Sequence, residues 1–156
     1  MAYTIIDIID KLISIEKKSK QLYITAIKKI EDNSRIKIIF RILLKEEDRH
    51  IEYYNNLKKS LEDKAIEPIN FYSYDKISHL ANKFKNDMYL PNFKDIKDLI
   101  IYALDFEKAN LALLMDIKGR LVLSKTDTDS IQYKIISQIV EEEKKHVKNL
   151  ENFIHF

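Results

Sequence analysis

Turn-forming residues are nearly missing from this chain. Its 156 residues include one glycine, Gly119, and two prolines, Pro68 and Pro91. So few helix breakers favour long helices over a turn-rich all-β fold. A single glycine also excludes the glycine-rich loops that cradle phosphates or dinucleotides. Cysteine is absent. Disulfides, iron–sulfur clusters, thiolate zinc sites and a cysteine nucleophile are therefore excluded, and a cytoplasmic location is the expectation.

Four long amphipathic segments are predicted as helices. The first runs from about Thr4 to Ile30, with Ile5, Ile8, Ile9, Leu12, Leu22, Tyr23, Ala26 and Ile27 at helical spacing. Thr4 is its expected cap and Asp7 lies in the favourable first turn. After the polar break Glu31–Ser34, with Ser34 as expected N-cap, a second segment runs to about Leu61. A short link between two long helices makes them antiparallel neighbours. The third segment spans about Lys94 to Leu123, with Gly119 marking a weak point or an early cap. The polar turn Lys125–Asp129 leads to the fourth, about Ser130 to Ile154.

Residues 62–93 differ. They hold both prolines and the aromatics Phe71, Tyr72, Tyr74, Phe84, Tyr89 and Phe93. This stretch reads as a crossover with a short helix over about Tyr74 to Lys85, because a structureless loop of that length is unusual in a compact domain. One domain over 1–156 is expected: an all-α four-helix bundle with hairpins at about 4–61 and 94–155 joined by the crossover. The halves also match each other. Leu12-Ile13-Ser14-Ile15-Glu16-Lys17 aligns with Ala103-Leu104-Asp105-Phe106-Glu107-Lys108, and Leu43 to His50 aligns with Ile139 to His146. Such a repeat predicts a pseudo-two-fold bundle.

Charged residues intrude on the apolar stripes. Glu16 lies four residues after Leu12, and Glu107 four after Ala103. Glu47 and His50 interrupt the stripe between Leu43 and Tyr54, as Glu143 and His146 do between Ile139 and Leu150. A spacing of three sets each Glu-x-x-His pair on one helical face. An unpaired buried charge costs several kcal/mol, and no lysine or arginine occupies a stripe position to offset these four. Two divalent cations would balance four carboxylates with the histidines neutral. One glutamate from each of two helices, with Glu-x-x-His from each of the other two, is the ligand pattern of carboxylate-bridged two-metal bundles. Oxygen and imidazole donors without thiolate suit iron or manganese better than copper(I). A lone Glu-x-x-His on a charged helix would mean little. Here it occurs twice, at matching places in a repeat.

The strings IEKKSKQLY, LLKEEDRHIEYY, FEKANLALL and IVEEEKKHVKNL carry a resemblance over nearly the whole chain. Through them the sequence resembles the ferritin-like superfamily, most closely its rubrerythrin-type branch. The resemblance implies a two-iron site, with manganese an alternative at one or both positions. Glu47 and Glu143 would bridge the ions, Glu16 and Glu107 would be terminal carboxylates, and His50 and His146 would each cap one ion. Rubrerythrins usually carry a four-cysteine rubredoxin domain; this chain does not, so a separate donor such as a rubredoxin-like protein would supply electrons. The extra carboxylate usual on the third helix is not visible: Leu104 and Asn110 stand where it is sought. A fifth helix, as in mineral-storing cages, is not expected, because Phe156 is only ten residues after His146. A homodimer is what the resemblance suggests.

Other residues carry two readings. Tyr23 and Tyr54 serve either core packing or a hydrogen-bonding or redox role beside the metals. Glu46 and Glu142 are either solvated or support the histidines from outside. His79 and His155 read as surface histidines, and the lysine pairs as solvated helix faces. The crossover aromatics either meet a second copy or pack on their own bundle. The net charge of +2 gives no pull toward nucleic acid or an anionic membrane, and no apolar run is long enough for a membrane span. The start, MAYTIIDIIDKL, reads as a helix and not a signal peptide.

Three functions fit this pattern. The first is a redox enzyme in which reduced metals act on peroxide or oxygen and a partner restores them. The second is an iron-binding, ferroxidase-like protein without catalytic peroxide turnover. The third is a structural role, with metals holding a helical module together.

Overall fold

The computed structural model describes residues 2–30, 35–93, 95–123 and 125–154, and among them it is all-helical, with no strand. Five α-helices follow in order: α1 (Ile5–Ile27), α2 (Arg35–Leu61), α3 (Phe71–Asp87), α4 (Ile96–Arg120) and α5 (Ile131–Ile154), with a 3-10 turn at Lys125–Asp129. The expected cap Ser34, the start at Lys94 and His155 lie outside the described residues.

Local chemistry sets where the helices begin. Thr4 Oγ1 accepts from the Ile6 amide at 3.2 Å, while the Thr4 amide donates to Asp7 Oδ2 at 2.8 Å. That exchange satisfies donors which the first helical turn leaves without partners. Asp95 caps α4 by accepting from the Asp98 amide at 2.9 Å, and Ser130 caps α5 through the Tyr133 amide. The third long helix is therefore shorter at both ends than its apolar pattern suggests, ending at Arg120.

The crossover helix is longer than expected. Asn70 Oδ1 accepts from the Ser73 amide and starts α3 at Phe71, three residues before Tyr74. Phe71 and Tyr72 are exposed, so no buried periodicity announces this first turn. Tyr74 stacks on Tyr3 with ring centroids 3.9 Å apart, and Phe84 meets Phe106. Phe93 packs edge-on against Phe40 and Tyr102. Tyr74, Phe84 and Phe93 thus pack on their own chain; Phe71 also meets the Tyr3 ring, though like Tyr72 and Tyr89 it is largely exposed.

Cross-helix pairs show how the helices run. Asp10 meets Lys58, Glu16 meets His50 and Lys20 meets Asp48, so α1 and α2 are antiparallel. Lys118 lies over the Tyr133 ring and Lys108 pairs with Glu151, which makes α4 and α5 antiparallel too. Helix α3 packs on α1 and α4. The internal repeat is kept in the helix starts. Glu16 and Glu107 each lie eleven residues after the first residue of their helix, and Glu47 and Glu143 each lie twelve after theirs.

The apolar interior is split in two. One cluster holds Ile5 to Ile15 of α1 with Leu57, Leu61, Ile117, Ile136 and Ile139. A smaller one is built on Tyr23, Phe40 and Leu99. Along α1 and α2 the polar residues Glu16, Ser19, Glu47 and His50 come between them, all buried. No described helix is long and apolar enough to cross a membrane.

Gly119 lies inside α4 with no positive φ, and a Cβ added there would meet nothing within 4 Å. It does not act as a left-handed cap. Replacing it with alanine removes backbone freedom from the unfolded chain at no steric cost. Gly119→Ala is expected to stabilise the protein by about 0.5 kcal/mol, seen as a higher urea midpoint. A lower midpoint would show that this position needs glycine after all.

Candidate metal centre

The residues singled out from the stripes are drawn into the interior. Glu16, Glu47, Glu107 and Glu143 are at most 7% exposed, and His50 is 4% exposed. His146 is partly buried. All six side chains are brought together. His50 Nδ1 is 3.4 Å from Glu16 Oε2, and His146 Nδ1 is 3.2 Å from Glu143 Oε2. The two imidazoles stack with centroids 4.2 Å apart and planes 15° apart. Glu16 and Glu47 form one carboxyl pair, and Glu107 and Glu143 the other.

Two overlapping sets offer ligand atoms within 4.8 Å of one another: Glu16, Glu47 and His50, and His50, Glu107 and His146. Glu143 joins the second through its contacts with Glu107 and His146. Glu47 Oε2, His50 Nε2, Glu107 Oε2 and Glu143 Oε1 are buried without a hydrogen-bond partner. Leaving such atoms unsatisfied is costly, and native interiors rarely do so without a reason. Among the described residues no lysine or arginine is buried, so no side-chain cation of that kind answers these carboxylates. Oxygen and imidazole donors pointing inward, with no paired cation, are a donor set that divalent metal ions fit.

The electrostatics follow from crowding. Burial pushes the Glu47 carboxyl well above the ordinary value, and neighbouring Glu16 raises it further. Burial and the bond to Glu143 do the same to Glu107. Burial raises Glu143 to about 7. Glu16 moves the other way: burial opposes its ionisation, but bonds from Glu47 and His50 outweigh burial and lower its value. Burial works against the charged form of His50, yet Glu16 carries it to about 9. Burial and the positive His50 lower His146. Protons thus do part of the work that cations would otherwise do.

Neighbouring residues complete the setting. Asn110 is buried and its Nδ2 donates to Glu16 Oε1 at 3.3 Å. Sequence reading registered Asn110 only as a missing acid; its place on one face with Glu107, three residues away, was the available signal. Glu142 Oε1 is 3.6 Å from His146 Nε2, so it touches the site, whereas Glu46 bonds Arg49. Tyr23 and Tyr54 are buried, Tyr23 edge-on to Phe40 and Tyr54 to Tyr53. Burial holds both phenols well above their ordinary value, with Glu47 adding to Tyr23 and Glu16 to Tyr54. Both therefore stay neutral. His79 is exposed and away from the cluster.

A groove of about 300 Å³ leads from the surface to Glu47, His50, Glu107 and His146. No protein-family model, curated protein or solved structure matches this chain.

The proton affinities make stability depend on pH. Glu47, Glu107 and Glu143 bind protons more tightly folded than unfolded, so their contribution is complete below 4.5 and is lost as pH rises through the folded value, about 7 for Glu143. His50 acts in the same direction from 6.5 to about 9. His146, being lowered, opposes this on the way up to 6.5, and the lowered Glu16 loses its contribution only in acid below 4.5. The raised groups outnumber them. Metal-free protein is expected to lose stability steadily from pH 4.5 to about 9 in urea titrations. Constant or rising stability over that range would contradict these shifts.

Proposed function

We propose that this chain is a ferritin-like, rubrerythrin-type bundle. In this reading Glu16, Glu47, His50, Glu107, Glu143 and His146 hold two iron ions, with manganese an alternative at either position. The protein reduces peroxide or oxygen with electrons from a separate, rubredoxin-like donor. The observation that carries the proposal is the convergence of four buried carboxylates and two histidines, with four of their donor atoms unpartnered. The antiparallel pairs α1–α2 and α4–α5, with matched glutamate positions, support the ferritin-like arrangement.

Bound there in the reduced state, the ions would supply electrons and polarise the peroxide or oxygen. The protein's part is positional. Glu47 and Glu143 each share a helical face with a histidine and lie against a carboxylate from the partner helix, so each suits the bridging role. His50 and His146 turn Nδ1 toward carboxylates. Asn110 fixes one oxygen of Glu16 and leaves the other toward His50. The neutral Tyr23 and Tyr54 help keep water out of the interior beside the cluster. The groove gives a small substrate access.

An iron-handling role is a second reading. Glu142 beside His146, and Glu46 on the groove, place two carboxylates at the outer edge of the cluster, where an entering ion would meet them. Turnover separates the two. Reduced, metal-loaded protein given an electron donor is expected to consume peroxide over many cycles. One stoichiometric oxidation, with ferrous iron taken up beyond about two ions per chain, would favour iron handling instead.

A further inference from the structure

The groove is larger than the chemistry proposed above requires. A water-sized molecule occupies about 30 Å³, whereas the groove offers about 300 Å³. That volume is at the lower end of pockets for small organic ligands, roughly 300–1,000 Å³. Its walls above the cluster are Ile39, Ile42 and Leu43 of α2, Ile100 of α4 and Leu150 of α5. Helix α3 packs on α1 and α4, so it does not close the side where α2 and α5 form the walls.

The lining selects the kind of molecule that fits. Aliphatic walls favour an apolar body. His50 at the inner end already lies against Glu16. Arg49 is the one lysine or arginine in the lining, and its guanidinium is bonded to Glu46. A fatty acid or phosphate ester is therefore disfavoured. A neutral molecule with an apolar body and a short oxygen-bearing end suits both ends of the groove.

Resting on the peroxide-reducing reading, we propose that the substrate is an organic hydroperoxide, ROOH, whose apolar part lies on Ile39, Ile42, Leu43, Ile100 and Leu150. Its terminal oxygens reach the end of the groove at Glu47, Glu107, His50 and His146. Breaking the O–O bond takes two electrons, which ferrous ions held by the six ligands would supply, and two protons from solvent. The products are the alcohol ROH and one water. A one-electron donor protein restores the ferrous state in two steps.

Cumene hydroperoxide and its product, cumyl alcohol, test this. Metal-free protein is expected to bind cumyl alcohol, with NMR shifts concentrated on the methyl groups of the five wall residues. In the reduced, metal-loaded protein kcat/KM for cumene hydroperoxide should exceed that for hydrogen peroxide by about tenfold or more. Ile42→Glu, at a residue already 48% exposed, should cut that ratio by about tenfold. Ile100→Trp, which fills the groove, should cut it as well. Turnover of hydrogen peroxide with no cumyl alcohol binding, or a ratio unmoved by both variants, overturns the organic substrate and leaves the peroxide reading standing. No turnover of either peroxide overturns both.

Discussion

Four carboxylates at one level of a helical interior are the constraint that organises this protein. Each is expensive to bury, and none has a lysine or arginine buried beside it among the described residues. Three responses are visible in the structure. Carboxyls pair, Glu16 with Glu47 and Glu107 with Glu143, so that protons can be shared. His50 sits against Glu16 and is held positive near neutral pH. The remaining inward-facing atoms stay unpartnered, a donor set that a cation could satisfy. Two divalent ions would replace the protons and satisfy those atoms together, which couples metal binding to stability and to pH.

The same layer explains the arrangement of the apolar core. A large cluster on one side of it and a smaller one on the other pack the helices, so the glutamates do not have to supply the packing themselves. Matched helix starts put Glu16 and Glu107, and Glu47 and Glu143, at equal depths in their helices. Helix α3 lies over α1 and α4, and the groove runs between α2 and α5. Covered on one side and open on the other, the cluster has a defined direction of approach.

The six central residues were legible because a charged residue in an apolar stripe at helical spacing is anomalous, and because the anomaly repeats. Glu16, Glu47, His50, Glu107, Glu143 and His146 are all drawn to one level, with only His146 less than fully buried. Element boundaries were less legible. The first turn of α3 carries exposed aromatics, and its start depends on a single bond from Ser73 to Asn70. Asn110 was missed as a partner of Glu16, 94 residues away, because contacts between helices are not written in local spacing. Glu142 reads from sequence either as solvated or as a support for its histidine, and only its distance from His146 separates the two. The groove depends on how α2, α4 and α5 meet, which no single stripe records.

The most direct test of the two-metal account is the metal content of protein reconstituted without oxygen, compared with a Glu47→Ala, Glu143→Ala double variant. The account predicts about two iron or manganese ions per chain in the unaltered protein and their loss from the variant, while the variant keeps its helical circular dichroism. Unaltered protein that folds and binds no metal would contradict it. The buried carboxylates would then be held by shared protons alone.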